Sequence, residues 1–589
     1  MTVLIAEILK QYTYGMLLVT DEVRRMNEYV NTDSKPESLG EIIQKNCDRI
    51  LIYTAENARE DRDKLFSTPV IIMTTQRFFE LTRKEVIALT STYIPKRYVV
   101  IDERAWLTET VRIDYASFNT VDSTLNTRID DTRRYKPLMT AFWQKLSTRY
   151  QERMKTLEKG NEQYELKILF HDDEVTEDDR LENQEFLEHC LAYKKVFRHC
   201  RLDKDKSTQI VDILKIIRAI IQIADGGNAL FVSKLKRKAD SKNEYSNAFY
   251  VTLDHRDLLL NTGSKTIILD GTGLLDPIYQ VDYVNCVDCS QFARDLSNLT
   301  IDIFDVNTSK RAIVSSPQSK EKLTAIADFI RTTQSTGLVI TYGEGSTDEI
   351  NTYDTVERFF HDEGFSTAHL WGLKGRNDFN QETNLVQVGL ARKPDEYYES
   401  MAIHNELQYI PAEDIEINSG DFREKVNDVM IKSLLCDVEQ NLYRGIIRMP
   451  DNNRQQTYTL MFRAKPSYDE NGNNTNELSA LTDEIKQRYE SMGATVNVHD
   501  APEAIRACKT RLRRGKDGKL TNAQILTNYL NDMETMHPGE TIKRAQILDA
   551  CNMSVSNYKK VLHSHTYIKQ RLDRMRSSVI GYYTIPSAD

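Results

Sequence analysis

The sequence predicts an α/β protein with two parallel-sheet domains, a helical insertion in the first of them and a small helical domain at the carboxyl end. Three observations carry this. Short β-branched runs alternate with helix-like segments through the first hundred residues, a second such series begins near Ile301, and charge and periodicity both change beyond residue 500. At 589 residues the chain exceeds the size at which single cores stop growing, so two to four domains are expected.

Residues 15–20, 50–54, 70–74 and 98–101 read as short buried strands, and helical material between them would give crossovers in a parallel sheet. A fifth strand, 265–270, follows only after a long charged interval. Within that interval Ile213, Ile216, Ile217, Ile220 and Ile221 fall at helical spacing, so 105–260 is expected to be a mostly helical insertion and 1–300 the first domain. In the second series, 301–466, strands are expected at 312–314, 337–341 and 384–388, with a helix at 321–332. The polar run around Asn471-Gly472-Asn473-Asn474 reads as a loop, and 467–500 as a linker.

Hydrophobic residues make up 40% and charged residues 28%, ordinary for a globular protein. No apolar run approaches the roughly 20 residues that span a bilayer, and the amino terminus lacks a basic leader signature, so a cytoplasmic protein with no membrane partner is expected. Eight cysteines in so long a chain are no disulfide framework; Cys286 and Cys289, with the His189-Cys190 and His199-Cys200 pairs, read as ordinary thiols rather than a metal site. The net charge of −10 hides an asymmetry: 501–589 holds 15 Lys/Arg against 8 Asp/Glu, a surplus of 7, which leaves −17 for the rest. The basic end is the part suited to phosphate backbones.

The strand Tyr98-Val99-Val100-Ile101 ends in two adjacent carboxylates, Asp102 and Glu103, at the carboxyl end where open α/β sheets bind ligands. A second constellation is Gln440-Asn441-Leu442-Tyr443-Arg444-Gly445-Ile446-Ile447-Arg448: on a helix Gln440, Arg444 and Arg448 share one face, and Pro450 would end it. Thr74, Thr75 and Arg77 directly follow a strand, where they suit either a helix cap or contacts to a sugar–phosphate backbone.

In this order the motifs resemble the superfamily 1 and 2 helicases, of the DEAD/DEAH type and a phage or plasmid kind, which place ATP between two RecA-like domains. Residues 98–104 look like their Walker B motif, Leu269-Asp270-Gly271-Thr272-Gly273 like the motif coupling hydrolysis to strand movement, and 440–448 like the arginine-finger motif. Trp371 to Asp378, with Gly375, Arg376 and Asn377, occupies the place of a nucleotide-contacting motif. The resemblance implies two RecA-like domains, ATP and Mg²⁺ as cofactors, Asp102 as the Mg²⁺ ligand, and Glu103 as the group that orients water. It further implies Gln440, Arg444 and Arg448 on the opposing domain, and Thr74, Thr75 and Arg77 on a single DNA strand, with RNA as the alternative and replication or repair proteins as partners.

The chain departs from that family at Arg104, which replaces the usual Ala after the acidic pair, and in one respect that matters more. No Gly-x-x-x-x-Gly-Lys-Ser/Thr loop occurs, and 2–12 resembles the helix that normally follows it, so the sequence is expected to begin just after its own Walker A motif and to hydrolyse ATP poorly as written. The expected function is a nucleic-acid-dependent ATPase of the helicase type; the alternative is a non-catalytic nucleic-acid-binding protein or helicase subunit. Residues 501–589 resemble a helix-turn-helix or winged-helix domain, with Lys559 and Lys560 on the recognition helix, Ser554 or Ser556 as its cap, and Arg571, Arg574 and Arg576 at the place of a wing.

Overall fold

The structure is a computed structural model. It describes residues 15–20, 49–54, 64–79, 81, 83–91, 97–102, 104–105, 107–114, 116–117, 119–121, 164–168, 176–192, 200–204, 207–211, 213–224, 228–237, 243–255, 258–259, 265–287, 295–314, 319–333, 337–343, 355–370, 373, 379–411, 414–417, 419–449, 453–468, 474–508, 522–536, 539–551, 553–564, 566–575 and 582–585. They divide into two compact units, Met1–Ser316 with Ile330–Ala501, and Pro317–Phe329 with Pro502–Asp589.

Among the described residues the first unit begins with β1 (Gly15–Thr20), β2 (Ile50–Tyr53) and β3 (Val70–Thr74), then the helices α1 (Thr75–Phe79) and α2 (Arg83–Ser91), then β4 (Arg97–Asp102). β1 lies between β3 and β4, and every pairing is parallel. Every residue of β1 is buried, which is why it reads as a continuous apolar run rather than an alternating one. Arg97 fixes the amino end of β4 from inside the core, donating to the carbonyls of Leu89, Leu65 and Thr68 at 2.5–2.7 Å.

The insertion departs from the predicted helical character. Among the described residues it includes the helices α3 (Glu177–Ala192) and α4 (Ile213–Ala224), the latter covering the expected isoleucine stripe. It also holds β5 (Thr108–Asp114), β6 (Tyr164–Ile168), the hairpin of β7 (Cys200–Lys204) and β8 (Ser207–Val211), β9 (Asn228–Arg237) and β10 (Asn243–Asp254). β5, β10, β9 and β6 form an antiparallel sheet in that order. Its strands carry Lys, Arg, Glu and Asn between apolar residues, and that polarity obscures a half-buried strand in a charge-rich sequence. β11 (Thr266–Leu269) then returns to pair with β4, completing a five-stranded parallel sheet in the order β11-β4-β1-β3-β2.

A second all-parallel sheet follows. It comprises β12 (Leu299–Asp305), β13 (Leu338–Thr341), β14 (Ser366–His369), β15 (Asn384–Val388), β16 (Gln456–Phe462) and β17 (Thr495–Asp500), in the order β14-β13-β15-β16-β12-β17. α5 (Ser319–Thr333) follows β12 and belongs to the second unit as far as Phe329; the helices of this sheet include α6 (Val356–Asp362), α7 (Asp395–Glu406), α8 (Gly420–Leu442) and α9 (Ser479–Ser491). The two-sheet α/β architecture is thus the one the sequence predicts. Two expectations are corrected. The strand expected at 312–314 is instead a single helical turn, Lys310–Ile313, because three apolar residues are too short a run to distinguish the two forms. The segment 467–500 is no linker: α9 and β17 belong to the second sheet, where β17 forms the edge beside β12 and Leu481, Ile485 and Tyr489 are buried.

In the second unit, after a short helix at Glu503–Ala507, the described helices include α10 (Asn522–Met536), α11 (Arg544–Ala550), α12 (Val555–Ser564) and α13 (Thr566–Arg574), and β18 (Thr541–Lys543) pairs antiparallel with β19 (Tyr582–Thr584). Leu526, Leu530, Ile547, Met553, Tyr558, Val561, Ile568 and Leu572 form its core. Arg571 and Arg574 lie on α13 rather than on a wing, since Ile568 and Leu572 at i, i+4 give that segment an apolar helical face. Among the described residues no helix is long and apolar enough to cross a membrane.

Candidate functional site

Parallel register places three polar residues side by side where the first sheet ends: Thr20 on β1 is level with both Asp102 on β4 and Thr74 on β3. Leu269, level with Asp102 on the other side, leads directly into Asp270. Asp102 is half-buried, and the Thr20 hydroxyl is fully buried with no hydrogen-bond partner. A carboxylate beside an unsatisfied hydroxyl at the carboxyl end of a parallel sheet is where ligands of such sheets gather. Glu103 lies outside the described residues.

Behind Asp102 the chain is clamped by the segment following β11. Asp270 folds back on itself, its Oδ1 accepting from the Thr272 amide at 2.9 Å and hydroxyl at 2.7 Å. The Tyr279 hydroxyl donates to Asp270 Oδ2 at 2.8 Å and accepts from the Ala105 amide at 3.0 Å, so one phenol bridges the two loops. Burial, then the Asp270 carboxylate, raises the Tyr279 pKa far above its usual range, keeping it a neutral donor. Beside it Arg104 Nη2 donates to Asp276 Oδ1 at 2.9 Å, with Nε 2.5 Å from Oδ2, and the Asp276 side chain is wholly buried. Asp276 also caps the short helix Pro277–Tyr279 by accepting from the Ile278 amide at 3.1 Å.

The second sheet contributes α8 and the Lys393 region. Burial by itself opposes the Arg104 charge, but Asp276, with smaller contributions from Tyr397 and Asp437 on α8, overrides it and raises the Arg104 pKa further. The Cys436 thiol is pushed well up by burial, with Asp276 and Asp270 among its electrostatic neighbours. Half-buried Lys393 sits 3.7 Å above the Tyr397 ring and is lowered to about 8, by burial first and the Arg104 guanidinium second. Arg104, Asp276, Lys393, Asp437 and Tyr279 are the residues sequence reading missed. Only Arg104, adjacent to the acidic pair, carried a local signal.

The second predicted constellation is rearranged. α8 ends at Leu442, and Arg444 and Arg448 lie beyond it, Arg444 in a turn and Arg448 in the 3₁₀ turn Ile446–Arg448, so they do not continue one helical face with half-buried Gln440. Arg444 is buried and Arg448 exposed. Gln456 ends the helix, its Nε2 donating to the Leu442 carbonyl at 3.0 Å and its Oε1 accepting from the Ile447 amide at 2.8 Å. Pro450 is outside the described residues, as are Gly375, Arg376 and Asn377.

Of the strand-end residues, Thr74 Oγ1 accepts from the Arg77 amide at 3.2 Å and caps α1, while Thr75 is buried. Arg77 donates to the Tyr53 hydroxyl at 3.2 Å and lies 5.2 Å from that ring's centroid. In the second unit Lys559, Lys560 and Arg574 are exposed, whereas Arg571 is held by Glu534, with Nε donating to Oε1 at 2.8 Å.

No protein-family model matches the chain, and no curated protein matches it. Among solved structures, that of S. tokodaii Xpd4 is 12% identical, covers 84% of this chain and 93% of its own, and has a TM-score of 0.40. That of Mss116p bound to ssRNA and AMP-PNP is 11% identical, covers 97% and 82%, and scores 0.27. That of the DUF1998 helicase MrfA bound to DNA and AMPPNP is 9% identical, covers 91% and 53%, and scores 0.24. Scores this low do not define a shared fold.

Proposed function

We propose that the chain is a nucleic-acid-dependent ATPase of the helicase type that acts on DNA. The observation that carries the reading is Asp102 at the carboxyl end of an all-parallel five-stranded sheet, level with the buried, unpartnered Thr20 hydroxyl. In this reading Asp102 holds Mg²⁺ and Glu103 orients the attacking water. Mg²⁺ characteristically uses one or two carboxylates together with waters and substrate phosphates. Among the described residues no group of three His, Cys, Asp or Glu side chains is placed to hold a metal ion.

Half-buried Gln440 lies in the last turn of α8, buried Arg444 and exposed Arg448 follow it, and in this reading Arg448 meets a γ-phosphoryl charge. Arg77 supports strand binding near the first sheet, and Lys559, Lys560 and Arg574 supply cations in the second unit. A second reading is nucleic-acid binding without turnover, for which the exposed Lys559, Lys560 and Arg574 of the second unit would suffice.

The test is ATP hydrolysis with and without single-stranded DNA, on the chain and on Asp102→Asn and Glu103→Gln. DNA-stimulated turnover lost in both variants supports the ATPase. Absence of turnover with DNA affinity indifferent to nucleotide supports the second reading.

A further inference from the structure

The second unit carries a surface to which the ATPase reading assigns only cations. α11 and α12 are joined by a short turn, and Ile547, Cys551, Met553, Tyr558 and Val561 bury their inner faces together. Ser554 starts α12, its Oγ accepting from the Asn557 amide at 3.2 Å, and the Tyr558 and Tyr583 hydroxyls, 3.1 Å apart, tie the helix to β19. α12 is thereby held by one face, and its other face is exposed.

The exposed face is divided by chemistry. Its first turn presents Val555, Ser556 and Asn557, short and uncharged, with Val555 49% exposed. One turn on come Lys559 and Lys560, and α12 contains no acidic residue. Lys543 and Arg544, exposed at the start of α11, add to the positive charge. Charge complementarity therefore favours a polyanion. A surface meant only for phosphates would have little use for a valine and an asparagine ahead of its lysines. These two side chains have specific complements on base edges: Asn pairs two-pronged with adenine N6 and N7, and an apolar side chain packs on the thymine methyl. Both lie in the major groove of a duplex, about 12 Å wide, which admits a helix 10–12 Å across.

Resting on the reading of this unit as nucleic-acid binding, we propose that α12 reads duplex DNA by sequence. Val555, Ser556 and Asn557 meet base edges at an A·T-containing step, and Lys559 and Lys560 grip the flanking phosphates. The ligand of this unit is double-stranded, unlike the single strand expected at the sheet domains.

The test is selection of binding sites from a randomised duplex pool by the full 589-residue chain, followed by anisotropy on the enriched duplex, the same sequence as a single strand, and a scrambled duplex. The expected result is an enriched motif containing A·T pairs and a preference over scrambled duplex of about tenfold or more. Asn557→Ala should erase one position of the motif at unchanged thermal stability. Lys559→Ala should weaken all duplexes alike and lower the salt slope by about one. Enrichment of no motif, equal binding of single strand and duplex, or a motif unchanged in both Asn557→Ala and a Val555→Ala, Ser556→Ala pair would overturn it, as would association with a protein partner that α12 substitutions disrupt while DNA binding persists. ATP turnover in the same preparations reports on the other reading: loss of turnover with the motif intact refutes the ATPase and leaves this inference standing.

Discussion

Arg104 and Asp276 form a buried two-pronged ion pair, Nη2 to Oδ1 at 2.9 Å and Nε to Oδ2 at 2.5 Å, across 172 residues of chain. It ties the loop that follows β4 to the segment that follows β11, and so stiffens the support under Asp102.

Removing one partner leaves a buried charge without its complement. Arg104→Met is expected to destabilise the chain by about 3–5 kcal/mol, whereas Arg104→Met with Asp276→Leu should recover most of that loss. Denaturant unfolding of the two singles and the double measures the coupling. Equal losses in all three would mean that the pair is not what holds the loops.

Tyr279 bridges the same loops with one hydroxyl. Tyr279→Phe removes the acceptor of the Ala105 amide and a donor to Asp270, at a cost of about 1–3 kcal/mol for the buried amide alone. Hydrogen exchange should speed at Ala105 and leave β1 unchanged.

Gly445 has no room for a side chain. A Cβ there would stand 2.5 Å from both Gln456 Oε1 and Leu385 Cδ1. Gly445→Ala is expected to cost about 1–3 kcal/mol by overpacking. Gln456→Leu should cost a similar amount by stranding the Leu442 carbonyl and Ile447 amide. Thermal unfolding of the two variants checks both figures.

His255 gives the first unit an acid sensitivity. Burial, and next the Arg218 guanidinium, lower it to about 3 from an ordinary value near 6.5. Between those values the unfolded chain binds the extra proton, so this contribution to stability is complete above pH 6.5 and is lost as pH falls toward 3. It amounts to a few kcal/mol, on the order of 5. In His255→Phe the unfolding midpoint should change less between pH 6.5 and 4 than in the parent. An unchanged pH slope would place the sensitivity elsewhere.

The strands of the first sheet were legible because parallel strands buried on both faces are written as unbroken apolar runs: 15–20 and 70–74 coincide with β1 and β3, and 98–101 lies within β4. β16 and β17 were not, since Thr, Tyr, Asn and His interrupt them and their burial depends on neighbours distant in sequence. The antiparallel sheet of the insertion was hidden for the same reason.

The site divides in the same way. Local order along the chain places Asp102 at the end of its strand, because strand pattern and the carboxylates after it are contiguous. That Thr20 stands level with Asp102, that Arg104 finds Asp276, and that Gln456 stops α8 before Arg444 and Arg448 can share the face of Gln440 were decided only by the tertiary structure. Each depends on a hydrogen bond, ion pair or strand register between residues that only the packed fold brings together, and no periodicity in the sequence encodes such a meeting.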